Sequence, residues 1–135
     1  MREQISGVAA IIAGVASYFL GGLDSLISVF ATILIIDTAT GMLKGWNNGT
    51  YESKKFRQGF IKKIGYIIGI IFAVQLDVLA GSSGILRNAV ITFFIANEGM
   101  SIIENLGEMG VNFPDVLKNA VKSLKDKDKP KEEEK

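Results

Sequence analysis

The 135-residue chain has no cysteine and no histidine, and only 2 prolines and 1 tryptophan. Without cysteine and histidine it cannot build Ser-His-Asp or Cys-His catalytic sets, the usual zinc sites or a disulfide scaffold. Charge is also scarce over long stretches. Residues 1–43 carry 4 charged side chains and 64–107 carry another 4, whereas 44–63 carry 7 and 115–135 carry 13. The net charge of +1 conceals this sorting. Two charge-poor blocks separated by a basic segment and followed by a charged tail point to a membrane protein in a single domain-sized chain. Catalytic signals are missing as well. No Walker or Rossmann glycine pattern occurs, and Asp126 and Asp128 lack the glycine turn and closing Glu of a calcium loop. The expectation is a protein without enzymatic activity, cofactor or metal.

A helix needs about 20 mainly apolar residues to cross a hydrocarbon layer of about 30 Å. Four segments approach this, over about 5–23, 25–43, 64–86 and 88–104. The last is the weakest, because Glu98 lies inside it. The expected fold is an all-α integral membrane protein with four transmembrane helices in two hairpins. A transmembrane region over 1–107 is followed by an amphipathic helix and a disordered charged tail over 108–135. A three-helix or re-entrant version stays open, as does a soluble helical bundle with an apolar core. Residues 1–23 read as a span rather than a cleaved leader, since Tyr18-Phe19-Leu20 continues the apolar run past the small residues at 14–16.

Gly21, Gly22 and Asp24 mark the first hairpin turn, and Gly81-Ser82-Ser83-Gly84 marks the second. The segment 44–63 between the hairpins holds Lys44, Lys54, Lys55, Arg57, Lys62 and Lys63 against Glu52 alone. Such an excess marks the cytoplasmic side, so both termini are expected in the cytoplasm. Trp46, Tyr51, Phe56 and Phe60 are interleaved with these cations, which suits the headgroup layer and contact with anionic lipid. Nucleic-acid binding is not expected, because the segment is short and tied to the membrane at both ends. Asn48-Gly49-Thr50 has the form of a glycosylation sequon, but a cytoplasmic loop is not glycosylated.

Two spans carry columns of small residues. Gly7, Ala10, Gly14, Ser17 and Gly21 recur at intervals of 3 and 4 in the first, and Gly65, Gly69 and Ala73 at intervals of 4 in the third. In lipid, helices associate where small residues allow backbones to approach, so these columns read as packing faces. Packing within the chain is the default expectation and packing against another copy the alternative. Polar residues form faces too. Asp37, Thr40, Gly41 and Lys44 share one side of the second span; Glu98, Ser101 and Asn105 share one side of the fourth. A charge near mid-membrane costs about 2.5–3.5 kcal/mol on insertion scales. Asp37, Asp77 and Glu98 are therefore expected to make polar contacts between helices, while Glu104 stays wet at the interface. Beyond Pro114, Leu117, Ala120, Val121 and Leu124 line up opposite Lys118, Lys122 and Lys125, which describes a short interfacial helix.

Several runs are specific enough to compare with a family. Ile36-Asp37-Thr38-Ala39-Thr40-Gly41, then Lys44, Glu52-Ser53 and Gly59-Phe60-Ile61-Lys62-Lys63, resembles the toxin-secretion/phage-lysis holin family. The later signature is similar as well: Asp77, Asn97-Glu98-Gly99-Met100-Ser101-Ile102-Ile103-Glu104-Asn105, Gly110 and Pro114. The resemblance covers about Ile36 to Leu124. It implies a small phage or prophage membrane protein that forms a homo-oligomer in the bacterial cytoplasmic membrane. There it opens lesions through which an endolysin, or in some members a toxin, passes. Asp37, Gly41, Lys44, Glu98, Ser101, Glu104 and Asn105 match its motif positions, and none is catalytic. Two other classes compete. One is an ion or proton transporter with Asp37, Asp77 and Glu98 as a relay, and the other is a membrane adaptor that holds a soluble partner by its tail.

Overall fold

A computed structural model describes residues 1–50 and 52–127. Tyr51 and residues 128–135, which include most of the expected disordered tail, lie outside the described residues. Among the described residues the chain is helical without strands: α1 Arg2–Leu20, α2 Ser25–Asn47, α3 Ser53–Ala80, α4 Ile85–Glu108 and α5 Asp115–Asp126.

The hairpin turns have local causes. α1 stops at Gly21, where a φ of 70° turns the chain out of the helix and the N–H returns to the Ser17 carbonyl. Asp24 then opens α2 by accepting the Ile27 N–H at 3.1 Å. α3 stops in the same way at Gly81, with a φ of 67° and its N–H donated to the Asp77 carbonyl. The third apolar span therefore ends at Ala80 rather than Leu86, because the Gly81–Gly84 turn falls inside the apolar run. The basic segment also differs from expectation. α2 continues through Asn47 and α3 begins at Ser53, so only 48–52 lie between the helices. Lysine, arginine and glutamine are good helix formers, and a helix leaves the apolar region intact until a breaker such as Asn48-Gly49 stops it.

α4 is the central helix and packs against α2, α3 and α5. Phe30 of α2, Tyr66 and Ile70 of α3 and Ile91 of α4 form the core. Tyr66 stacks on Phe94 with ring centroids 4.1 Å apart. Gly69 permits this approach, since a Cβ there would lie 3.3 Å from the Phe94 ring. α1, α2 and α3 are each long and apolar enough to cross a membrane; α4 does not qualify by composition. The expectation of four apolar spans is thus met in three. The physical reason is enclosure. Arg87, Glu98 and Asn105 of α4 are buried among other helices, which keeps these three polar groups covered, while Asn88, Glu104 and Glu108 nearer its ends are exposed.

The first and last helices are held loosely. α1 buries no residue and touches α3, and its Ile5, Ile11, Ile12 and Tyr18 are all more than 60% exposed. α5 folds back antiparallel along α4. A Cβ at Gly99 would lie 3.2 Å from Val121, and Lys125 Nζ sits 5.9 Å from the centroid of the Phe93 ring. α5 buries none of its residues.

Candidate functional site

Two polar layers bracket the apolar core. The inner one joins α2, α3 and α4 near the basic connection. Lys63 of α3 reaches between two carboxylates, with Nζ 2.8 Å from Asp37 Oδ2 and 2.7 Å from Glu98 Oε2. Lys62 approaches the other Glu98 oxygen at 2.8 Å, and the Tyr66 hydroxyl donates to that oxygen at 2.9 Å. Asn105 donates to Asp37 Oδ1 at 3.4 Å and to the Thr40 hydroxyl at 3.3 Å. Glu98 is fully enclosed. Two acids facing two lysines leave the layer electrically balanced. Among the described residues no buried side-chain N or O atom lacks a partner. A buried carboxylate is tolerated only when paired and hydrogen-bonded in this way.

The outer layer ties the two hairpin turns together. Asp77 accepts the backbone N–H groups of Leu86 at 3.0 Å and Arg87 at 2.8 Å, and the Ser82 hydroxyl as well. These are first-turn donors of α4 that have no partner inside their own helix, so the carboxylate of α3 caps α4. The Arg87 side chain points the other way. It donates to the carbonyls of Leu20 and Gly22 and forms a two-pronged pair with Asp24 at 2.9 and 3.1 Å. One arginine thereby satisfies the exposed end of α1 and fixes the first turn to the second. The Arg87 guanidinium holds the Asp24 carboxyl below its ordinary value, with the Ile27 N–H acting in the same direction.

The structure brings together the two polar faces read from the sequence. Asp37, Thr40 and Gly41 of α2 meet Glu98 and Asn105 of α4, with a Cβ at Gly41 lying 3.7 Å from Asn105 Nδ2. Lys44 pairs instead with Glu108 at 3.4 Å, Ser101 lines a cavity beside the layer, and Glu104 is exposed. Asp77 is not part of this set. It lies about 21 Å along α3 from Lys63, at about 1.5 Å per residue, with Ile70 and the aromatic core between. That separation leaves Asp77 without contact to Asp37 or Glu98.

The basic residues divide. Lys54, Lys55 and Arg57 are exposed. Lys63 is not: its side chain is 17% exposed and serves as the buried counter-ion, with Lys62 beside it. Because α3 is already helical from Ser53, Lys63 lies three turns into it and faces α2 and α4. The small-residue columns divide too. Gly69 and Ala73 are packed within the chain, and Gly21 closes on Arg87 and Val74. Around Gly7, Gly14 and Gly65 nothing lies within 4 Å of a Cβ, and Ala10 is exposed. Packing within the chain, the default expectation, does not use most of the α1 column. Sequence reasoning missed Lys63, Tyr66 and Asp24 as partners. The only available signal was that each buried acid required a nearby donor.

Long apolar helices closed over balanced internal charges define a helical membrane protein. Residues 14–126 match the Bacteriophage holin family, and the chain belongs to it. This is a family of non-enzymatic membrane proteins. A probable holin of Bacillus phage phi105 is 33% identical over 103 residues, covering 76% of each chain. The uncharacterized protein Lin0175 of Listeria innocua is 37% identical over 79% of this chain and 76% of its own. An uncharacterized 14.9 kDa protein encoded in the nagH 3′ region of Clostridium perfringens is 31% identical over 82% of this chain and 85% of its own. No solved structure matches.

Proposed function

We propose that this protein is a lysis holin. It inserts as two hairpins with the basic connection and both termini in the cytoplasm, accumulates, and assembles into lesions that give an endolysin access to the cell wall. The observation that carries the reading is the family match over residues 14–126, supported by the relative described as a probable holin. The geometry supports assembly. α4 fills the centre of the chain, with Ile70, Ile91 and Glu98 fully enclosed there, so a passage for a folded enzyme has to form between copies. α1 offers an apolar helix with Gly7 and Gly14 open to close approach. Here α4 is the fourth span: its 24 residues reach about 36 Å, and its buried charges are neutralised inside the protein. The shallow seat of α5 suits a helix that leaves α4 for the headgroup layer, where its lysines stay wet.

Inducible expression in a bacterium carrying a folded cytoplasmic reporter tests the reading. Assembly depends on a high power of membrane concentration, so permeability should stay low and then rise abruptly with reporter release. A transporter would instead give ion flux in proportion to expression. Graded ion leakage without reporter release at any expression level would overturn the holin reading. Orientation has its own test in this cysteine-free chain. Cysteine at Gly49 should react with an impermeant thiol reagent only in opened cells, and cysteine at Ser82 in intact protoplasts.

A further inference from the structure

α2 and α3 are consecutive and joined by a short connection, yet both lie mainly against α4 and meet each other only through side chains, as in Lys63–Asp37 and Phe30–Tyr66. The gap between them near the connection is a cavity of about 380 Å³. Its lining holds four lysines, Lys44, Lys55, Lys62 and Lys63, against two carboxylates, Asp37 and Glu52. At the floor Lys63, and above it the half-exposed Lys62, are already committed to Asp37 and Glu98 at 2.7–2.8 Å. The mouth is different. Lys44 meets Glu108 at 3.4 Å and Lys55 meets Glu52 at 3.5 Å, in pairs open to water, Lys44 being 31% exposed and the other three side chains 55–68%. Such pairs contribute little, so either ammonium can turn to a stronger acceptor at small cost. One wall is apolar, with Met42, Phe56 and Phe60 each 45–59% exposed. Cations at the rim above an apolar wall match an anionic headgroup above an acyl chain. The volume exceeds what a free phosphate would fill and falls within the range of organic ligand sites.

We propose that this cleft between α2 and α3 is a discrete site for one anionic glycerophospholipid. The phosphate sits between Lys44 and Lys55, and an acyl chain lies along Met42, Phe56 and Phe60. The lipid fills the gap that the two helices leave. The inference rests on the membrane reading and on the cytoplasmic placement of the connection, and does not require that lesions form.

The test uses the full chain purified in non-ionic detergent, mixed with limiting amounts of phosphatidylglycerol and phosphatidylcholine of the same acyl chains, and read by native mass spectrometry. One phosphatidylglycerol per chain should be retained, in about tenfold preference over phosphatidylcholine. The double variant Lys44→Gln/Lys55→Gln should lose that preference with unchanged helix content and melting, because neither lysine serves the buried layer. Gly59→Leu should reduce retention of both lipids, since position 59 lines the cavity and a Cβ there meets nothing within 4 Å. Equal retention of the two lipids, or a preference that survives both variants, would overturn the proposal. Release of the lipid by millimolar inorganic phosphate would also overturn it and make the site one for free phosphate. Loss of reporter release with lipid retention intact would count against the holin reading alone.

Discussion

The two ends of the helical bundle are both polar but are built on different principles. At the outer end, Asp77 and Arg87 mainly satisfy backbone groups: N–H groups opening α4 and carbonyls closing α1. At the inner end, Lys63, Lys62, Asp37, Glu98 and Tyr66 satisfy one another through side chains alone, across three helices. The outer layer therefore organises turns that glycine already specifies, while the inner layer chooses which helix faces meet. Losing Lys63 leaves Asp37 and Glu98 enclosed, whereas the Asp24 part of the outer layer can turn to water, its side chain being 48% exposed.

The inner layer should be the more fragile. Lys63→Met leaves Asp37 without its closest cation and should lower stability by about 3–5 kcal/mol, as for other broken buried pairs. Unfolding in micelles followed by circular dichroism reads this. Adding Asp37→Asn should recover part of the loss; equal damage in the single and double variants would show that packing, not charge, holds this end. By the same reasoning Glu98→Gln, whose carbonyl still accepts from Tyr66 and Lys62 although its NH2 cannot accept from Lys63, should be milder than Glu98→Leu.

Next in size is the outer tie. Arg87→Met strands the carbonyls that end α1 and should cost about 2 kcal/mol, with hydrogen exchange rising first at the C-terminal turn of α1. If exchange rises uniformly instead, the two ends do not open separately. Glycines sharpen the contrast between packed and open faces. Gly69→Leu meets Phe94 and should cost about 1–3 kcal/mol by overpacking. Gly14→Leu meets nothing within the chain and should leave unfolding unchanged while delaying or abolishing reporter release. A fall in stability with Gly14→Leu would place that face inside the monomer.

The smallest effect concerns pH. The folded Asp24 carboxyl titrates below its unfolded value, so its contribution is present above about pH 4 and fades as pH falls through the lowered folded value. Exposure to water keeps that contribution small. Asp24→Asn should flatten the acid limb of the stability profile slightly. An unchanged limb would show that the Asp24–Arg87 pair adds nothing measurable to acid stability.

Local pattern made much of the molecule legible. The charge-poor blocks, the glycine turns at 21–22 and 81–84 and the amphipathic repeat after Pro114 all depend on residues within one or two helical turns of each other. The faces holding Asp37 and Glu98 were legible as faces for the same reason, since helical periodicity is a local property. Their cations were not. Lys63 reads as one more member of a basic surface segment, and only the extension of α3 back to Ser53 turns it inward.

By itself, then, the sequence determined that the chain is helical, apolar over membrane-length stretches, broken at two glycine turns and polar along defined helix faces. Hydrophobic periodicity and backbone conformational preference are enough to settle those features. Only the tertiary structure decided that α4 lies at the centre, that α1 is left nearly bare, and that Lys63 is shared by Asp37 and Glu98. Those choices depend on which faces meet across separations of 26 and 35 residues. There the cost of enclosing each charge is offset only when three helices close together.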